Sequence, residues 1–230
     1  MFFGYGRTAL EFGYEYLNLN EGDEILYPDY ICDVTVLPAN KKGLKIKYYT
    51  INDNLNPDFE NAAKLITKNT KAFLAVNYFG FPQPYNEIRA FCKQHGLFFI
   101  EDNSQSFLSL KDGNYLGSFG DISILSFRKL IPLFNGAVLT ININNNEHYN
   151  LIEDKIKDLL YEKGLFKKLK CSVKRFCRKK NYDLGIFRKR KTIIPEAGST
   201  ENEDFPYRID KSTLPILKKY DLVMEGKTRR

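Results

Sequence analysis

The stretch FFIEDNSQ, residues 98–105, is an apolar run that ends abruptly in acids and amides. A short apolar run bounded in this way is typical of a buried β-strand. Asp102 then falls where the strand meets the next loop. A carboxylate at that point can ligate Mg²⁺, act as a base, pair with a protonated heterocyclic nitrogen or cap a turn, and the stretch alone leaves all four roles open.

Similar short apolar runs occur at residues 24–27, 44–49, 72–77, 97–100, 122–127 and 137–143. Between several of them, apolar residues spaced by three and four predict helices at 8–19, 59–66 and 85–92. Strands and helices that alternate in this way predict a three-layer α/β/α fold with a mostly parallel sheet. Because ligands bind such sheets at the carboxyl ends of the strands, polar residues just after a strand are the candidates for a site.

The composition excludes general disorder and gives no membrane-spanning segment. The 230 residues are 43% hydrophobic and 14% aromatic, enough for a sizeable core. No run approaches the roughly 20 apolar residues that a spanning helix needs. The four cysteines form no CxxC pair, which indicates reduced thiols rather than a disulfide framework or a zinc site. We therefore expect a soluble, cytoplasmic protein without a metal site.

Residues 4–10, GYGRTAL, form a glycine-bearing turn that leads into a helix expected to begin near Thr8. The N–H groups and the dipole at a helix N-terminus make a natural phosphate cradle, to which the Thr8 hydroxyl could add a donor. A plain turn followed by an N-cap would produce the same pattern. The motif alone is therefore weak support for a phosphate site.

Residues 120–129, GDISILSFRK, describe an apolar strand followed by a hydroxyl group and a lysine. A lysine that is partly desolvated has a lowered pKa, and its neutral amine is available for Schiff-base chemistry. The commoner alternative is a solvated loop lysine. Lys129 is thus a candidate nucleophile whose environment decides its role.

Taken in order, the motifs GRTAL, GDEILYPDYICDVT, NYFGFPQPYNEI, FFIEDNSQSF, GSFGDISILSFRK and NGAVLT resemble the pyridoxal-phosphate-dependent sugar aminotransferases of the DegT and StrS type. This family belongs to the fold-type-I aminotransferase superfamily. The match runs from about residue 4 to residue 142 and more faintly through 208–230. The resemblance implies pyridoxal 5'-phosphate as cofactor and a homodimer. It implies transfer of an amino group from an amino acid, with glutamate as the expected donor, to a keto sugar carried on a nucleotide.

The resemblance also implies roles for the catalytic side chains. Lys129 would bind the cofactor aldehyde covalently and, once released by substrate, carry the proton between the two reacting carbons. Asp102 would pair with the pyridinium nitrogen and keep it protonated. Gln105 would hydrogen-bond the phenolic oxygen of the ring.

The remaining implied contacts hold the phosphate and the face of the ring. The backbone N–H groups of Thr8 and Ala9 and the hydroxyl of Ser126 would hold the phosphate. The residue that stacks on the ring would be Cys32, with Tyr30 as the nearby alternative.

Several features depart from the family pattern. Lys129 lies three residues after Ser126, a shorter spacing than is commonest in the family, and Asn135 precedes Gly136 where two glycines are expected. The N-terminal arm and the small C-terminal domain are expected to be absent, so we expect a truncated chain with little activity alone. The alternatives are a related sugar dehydratase, in which histidine replaces the lysine, and a non-catalytic remnant or partner subunit that retains the fold.

The expected organisation is a cofactor-binding core at 1–143, a helical basic segment and linker at 144–206, and the start of a connection to a missing C-terminal domain at 207–230. Further helices are expected at 148–160 and at 210–230, the latter broken near Pro215.

The segment 163–191 holds thirteen Lys or Arg residues against one acid, so the basic character of the chain is local. A run of this kind is usually a solvated helical hairpin. The alternative is weak contact with anions, either a nucleotide-sugar diphosphate or an acidic membrane surface. The segment carries no recognised nucleic-acid module, and no specific nucleic-acid partner is expected.

Overall fold

Strands and helices alternate in the computed structural model, which describes residues 1–129, 131, 133–161, 169, 172, 173, 176 and 207–219. The strands are β1 (Phe2–Phe3), β2 (Glu24–Pro28), β3 (Lys45–Tyr49), β4 (Thr70–Val76), β5 (Phe98–Asn103), β6 (Leu110–Lys111), β7 (Asn114–Tyr115), β8 (Ile122–Ser126), β9 (Ala137–Ile141), β10 (Leu160–Tyr161) and β11 (Tyr207–Arg208). The helices are α1 (Gly6–Tyr16), α2 (Asp33–Lys41), α3 (Phe59–Leu65), α4 (Tyr85–His95), α5 (Asn146–Lys157) and α6 (Thr213–Lys219).

In this part of the chain, nine strands form one sheet in the order β10-β11-β1-β9-β8-β5-β4-β2-β3, while β6 and β7 form a separate hairpin. The five strands from β8 to β3 run parallel to one another. On the other side β9 and β1 are antiparallel to their neighbours. The prediction of a mostly parallel sheet is confirmed.

Successive side chains of the central strands pack on opposite faces of the sheet. In β2, Ile25 and Tyr27 pack in a cluster with residues of α1, α2 and α5, whereas Leu26 packs in a second cluster with residues of α3 and α4. Helices therefore cover both faces, which gives the three-layer α/β/α arrangement. Strands buried on both faces read as continuous apolar runs, which explains the pattern in the sequence.

Short polar signals set the ends of several helices. The Asp58 side chain accepts a hydrogen bond from the Asn61 N–H at 2.9 Å and caps α3. Asn145 accepts from the His148 N–H at 3.2 Å and caps α5. α4 ends at Gly96, whose φ of 64° lies in the left-handed region that favours glycine.

The sequence patterns missed α2 and misplaced parts of two other helices. α2 contains Pro38 and few buried residues, so its sequence lacks a clear apolar face. α1 begins at Gly6 rather than near Thr8. The prediction that Pro215 breaks a helix was wrong, because Pro215 lies in the first turn of α6, where its missing N–H costs no helical hydrogen bond.

The region after residue 143 contacts the core through α5. Ile152 is 1% exposed within the cluster that contains α1, and Lys155 forms an ion pair with Glu15 at 3.0 Å. The domain boundaries named above remain predictions. Of the basic segment 163–191, the structure describes residues 169, 172, 173 and 176 alone, so the predicted hairpin lies almost wholly outside the described residues. No helix in the described part of the chain has the length and apolar content needed to cross a membrane.

We predict that Ile152→Ala lowers the free energy of unfolding by about 3 kcal/mol, because it removes a fully buried aliphatic side chain through which α5 packs on the cluster that contains α1. Leu151→Ala is the matched control on the same helix, since Leu151 is 55% exposed and its loss should cost under about 0.5 kcal/mol. Urea denaturation of both variants measures the difference. Equal effects would show that α5 does not pack on the core as described.

Candidate active site

A cavity of about 610 Å³ lies at the carboxyl ends of the parallel strands. The register across β4, β5 and β8 places Asp102 between Val76 and Ile124, and all three residues line the cavity. Small-molecule sites are typically about 300–1,000 Å³ in volume. The strand ends therefore form one wall of a cleft large enough for a cofactor.

The four candidate residues of the motifs 98–105 and 120–129 all line this cavity: Asp102, Gln105, Ser126 and Lys129. The first two lie at the end of β5 and in the following loop, and the other two at the end of β8 and in the 3₁₀ turn Phe127–Lys129. Because β5 and β8 pair in parallel, their carboxyl ends lie side by side. The topology thus brings together two motifs that are separate in the sequence.

Asp102 is a buried carboxylate, 4% exposed, whose Oδ1 accepts a hydrogen bond from the Ser104 N–H at 2.8 Å. Burial raises the pKa of Asp102, while hydrogen bonding from Ser104 and the positive charge of Lys129 act in the opposite direction. A carboxylate in this state gains from a cationic partner, such as a protonated ring nitrogen. Asp102 also closes the strand-to-loop turn through this hydrogen bond, and its role towards a ligand stays a prediction.

Lys129 is exposed at the end of its 3₁₀ turn, and Ser126 is half-buried at the end of β8. The role of Lys129 stays a prediction. Its charge still acts on Asp102. A lysine on the cavity wall beside a buried carboxylate can reach a ligand held between them.

The Gln105 side chain is oriented by a backbone hydrogen bond. Its Oε1 accepts from the Phe79 N–H at 3.1 Å. Phe79 has a φ of 55°, in the left-handed region that a bulky residue seldom adopts. Because the acceptor end of the amide is used, its NH₂ end is left to donate to a ligand oxygen.

Thr8 and Ala9 lie inside α1 and are 1% and 0% exposed. The Ala9 N–H donates to the Tyr5 carbonyl at 3.1 Å, which is the first hydrogen bond of the helix. Gly6 and Arg7, which precede Thr8 directly, line the cavity instead. Because the helix starts earlier than predicted, its positive N-terminal end lies at Gly6.

Both candidates for ring stacking, Tyr30 and Cys32, line the cavity. The Tyr30 ring stacks on Tyr78 with centroids 5.5 Å apart, and the Tyr78 hydroxyl donates to the Tyr30 carbonyl at 2.7 Å. Burial raises the pKa of Tyr78, so this hydroxyl remains a donor at neutral pH. Tyr78 therefore fixes the loop that carries both candidates.

Glu101, which the sequence analysis assigned no role, anchors the loop before β8. Its carboxylate is fully buried and accepts hydrogen bonds from three backbone N–H groups at 2.8–3.1 Å, those of Gly117, Phe119 and Gly120. The Asn77 amide at 2.9 Å and the Tyr85 hydroxyl at 3.0 Å donate to it as well. A charged residue inside a strand that is buried on both faces needs such donors. The position of Glu101 within the apolar run 98–100 and its continuation was therefore the signal in the sequence that could have identified it.

A pair of tyrosines, also missed from the sequence, links three elements beneath the cavity. The hydroxyls of Tyr14 in α1 and Tyr27 in β2 share a hydrogen bond. The Tyr27 hydroxyl also donates to the Thr35 carbonyl of α2 at 3.2 Å. Burial raises the pKa of both tyrosines, and the charge of Asp102 adds to this effect. Both hydroxyls stay neutral, so the link holds α2 beside the cavity.

We predict that Glu101→Gln lowers the free energy of unfolding by about 3 kcal/mol. Each carboxylate oxygen faces a backbone N–H, so either orientation of the new amide turns its NH₂ towards a donor. Glu87→Gln on α4 is the control, because Glu87 is exposed and its change should cost at most about 0.5 kcal/mol. Chemical denaturation checks both values, and a mild effect of Glu101→Gln would contradict the anchoring role.

The raised pKa of Asp102 predicts a pH-dependent effect of Asp102→Asn. The folded carboxyl binds its proton more tightly than the unfolded one, so ionising it destabilises the cofactor-free fold as the pH rises above the unfolded-state pKa of about 4. The variant should therefore have a higher free energy of unfolding than the original chain at pH 7. This difference between the two proteins should narrow towards pH 4. Urea titrations across this range measure it, with exposed Asp53→Asn as control. A variant that is less stable than the original chain at pH 7, by a difference that shrinks on acidification, would show that Asp102 is stabilised as a carboxylate.

Comparison with known proteins shows the family of this chain. Residues 3–158 match the family model described as the DegT/DnrJ/EryC1/StrS aminotransferase family. The chain is 29% identical over 140 residues to the GDP-perosamine synthase of Vibrio cholerae, an overlap of 60% of this chain and 38% of that protein. It is 34% identical over 138 residues to the GDP-4-keto-6-deoxy-D-mannose 3-dehydratase of Escherichia coli O55:H7, an overlap of 58% and 35%.

Among solved structures, the E. coli GDP-4-keto-6-deoxy-D-mannose-3-dehydratase with bound hydrated PLP is 26% identical, with a TM-score of 0.59. The similarity covers 66% of this chain and 41% of that one. The chain thus spans between 35% and 41% of the length of these three relatives. Because the family model covers more than half of the 230 residues, the chain belongs to the DegT/DnrJ/EryC1/StrS aminotransferase family.

Proposed function

We propose that this chain binds pyridoxal 5'-phosphate in the described cavity and acts in the transfer of an amino group from an amino acid, with glutamate as the expected donor, to a nucleotide-linked keto sugar. The observation that carries the proposal is the placement of buried Asp102 and of Lys129 on the walls of one cavity. A carboxylate for the ring nitrogen and an amine for the aldehyde are the two groups this chemistry requires.

The donor set fits the cofactor at each of its polar groups. Asp102 carries a raised pKa because it is buried, and a protonated ring nitrogen would supply the positive charge that it lacks. Gln105 presents the donor end of its amide, which suits the phenolic oxygen of the ring. The Ser126 hydroxyl and the N-terminal end of α1 at Gly6 suit the phosphate. The roles of the Thr8 and Ala9 N–H groups remain predictions.

When bound, the cofactor supplies a heterocyclic ring that accepts the electron pair of a broken bond. Asp102 then holds the proton on the ring nitrogen. The Nζ atom of Lys129 binds the cofactor and, when released, accepts and returns the proton that moves between substrate and cofactor. Gln105 would hold the phenolic oxygen of the ring and Ser126 the phosphate, and together they would orient the cofactor in the cavity.

Exclusion of water from this cavity requires further protein surface. Lys129 is exposed in the described residues, as are Tyr30 on the cavity wall, at 56%, and Phe79, whose N–H donates to Gln105, at 62%. Exposed apolar groups at the edge of a site are typical of a surface that another chain or domain covers. We therefore include a homodimer in the proposal, with little turnover expected from residues 1–230 alone.

Lys129 also favours the aminotransferase over the dehydratase alternative. The chain is similar to proteins named for each activity. In the dehydratase branch the resemblance implies a histidine at the position of the lysine, whereas this chain has Lys129. A non-catalytic subunit that retains the cavity is the alternative that an activity assay would detect.

The remaining predictions concern partners and location. Cytoplasmic location, the lack of a specific nucleic-acid partner and weak anion contact through residues 163–191 stay predictions.

We predict that borohydride reduction after incubation with pyridoxal 5'-phosphate labels Lys129. The reason is that Lys129 lines the same cavity as the groups proposed to bind the rest of the cofactor. Peptide mass mapping locates the label. Lys129→Gln should abolish it, whereas Lys93→Gln, on the exposed side of α4, should not. A label on another lysine, or unchanged labelling of Lys129→Gln, would refute the assignment.

A further inference from the structure

Asn77, the residue that follows β4, contacts three consecutive residues of β5. Its side-chain NH₂ donates to the Glu101 carboxylate at 2.9 Å and to the side-chain oxygen of Asn103. Its backbone N–H donates to the Asp102 carbonyl at 3.0 Å. Asn77, Glu101 and Asn103 are fully buried. One buried amide therefore holds the residues on either side of the carboxylate that is the candidate partner of the ring nitrogen.

The orientation of the Asn77 amide is set by a third partner. Its oxygen accepts a hydrogen bond from the Tyr85 hydroxyl at 2.8 Å. Burial and the charge of Glu101 raise the pKa of Tyr85, so this hydroxyl remains a donor at neutral pH. Because the amide oxygen faces Tyr85, both amide hydrogens face the acceptors on β5. The Asn77 side chain is thus committed to contacts within the fold.

These contacts lie on the face of the sheet opposite to the cavity. Successive side chains of a strand point to opposite faces, so Glu101 and Asn103 share one face and Asp102 has the other. Tyr85 belongs to the apolar cluster on the first face, whereas Asp102 lines the cavity. Asn77 therefore holds this end of β5 from behind, and a rotation of the strand end would turn Asp102 away from the cavity.

The two residues after Asn77 contact the same wall of the cavity. The Phe79 N–H donates to Gln105, and the Tyr78 hydroxyl donates to the Tyr30 carbonyl. The φ of 55° at Phe79 is costly for a bulky residue, and such backbone strain clusters at functional sites. The turn that begins at Asn77 is therefore built around the cavity, although Asn77 itself does not line it.

We propose that Asn77 is the positioning residue of Asp102. By holding the residues on either side, it directs the Asp102 carboxylate towards the ring nitrogen of the cofactor. The inference rests on the proposed function, because it concerns the contact between Asp102 and the ring. An asparagine with a structural role alone would change the stability of the fold, whereas a positioning residue also changes how strongly the ring nitrogen is recognised.

The test measures recognition of the ring nitrogen rather than turnover. Two probes are compared on the 230-residue chain: pyridoxal 5'-phosphate and its 1-deaza analogue, in which a CH group replaces the ring nitrogen. The first alone can form a charge-assisted hydrogen bond with Asp102, so the original chain should bind it about tenfold more tightly than the analogue. Absorption titrations at pH 7 give both dissociation constants.

Asn77→Ala should weaken binding of pyridoxal 5'-phosphate about fivefold and change binding of the analogue less than about twofold. Asp102→Asn sets the limit, because it removes the carboxylate and should abolish the preference between the probes. Ile152→Ala is the control for lost stability, since Ile152 is buried in α5 and does not line the cavity. This control should keep the preference of the original chain.

A milder variant tests the same contact if Asn77→Ala does not fold. Tyr85→Phe keeps the ring that stacks on Phe119, with centroids 4.1 Å apart, and removes the hydroxyl that orients the Asn77 amide. It should lower the preference for pyridoxal 5'-phosphate about twofold to threefold. A preference equal to that of the original chain in Tyr85→Phe would then overturn the inference.

The outcomes separate this inference from the proposed function. An equal loss for both probes in Asn77→Ala, or an unchanged preference, overturns the positioning role and leaves Asn77 with a structural one. Loss of the preference in Ile152→Ala as well would show that stability alone controls the contact, which overturns the positioning role too. An original chain that binds neither probe, or both equally, contradicts the proposed function and the positioning role with it.

Discussion

The carboxylate of Glu101 is the buried charge around which the site is built. It ties the loop Gly117–Gly120 and the side chains of Asn77 and Tyr85 to β5 through five hydrogen bonds. The next residue along β5 is Asp102, whose side chain lines the cavity. Since the same loop leads into the first residue of β8, one buried anion ties β5 to the start of the strand whose other end carries Ser126 and leads to Lys129.

The cavity combines one carboxylate of raised pKa with several directed donors. Burial raises the pKa of Asp102 while the charge of Lys129 lowers it, and Arg7 and Arg128 also line the cavity walls. Such a set suits a ligand that carries a cationic ring nitrogen and anionic phosphoryl groups at separate points. The chemistry of the residues therefore constrains the ligand more than the shape of the cleft does.

The sequence predicted the elements whose signals are local. Apolar runs identified the central strands because those strands are buried on both faces, and the polar residues after two of them, Asp102 and Lys129, proved to share a cavity. What it missed depends on contacts between distant residues. The partners of Glu101 lie 16 to 24 positions away, and the contacts of Asn77 with Asn103 and Asp102 depend on the strand order. α2 was missed because its sequence lacks an apolar helical face.

The central claim is that β5 and β8 bring Asp102 and Lys129 together as the two ends of one cofactor site. A crystal structure of the chain after incubation with pyridoxal 5'-phosphate tests it most directly. The account predicts density continuous with the Lys129 Nζ atom, with the ring nitrogen beside the Asp102 carboxylate. Density for the cofactor elsewhere on the protein, or a ring nitrogen that faces away from Asp102, would contradict it.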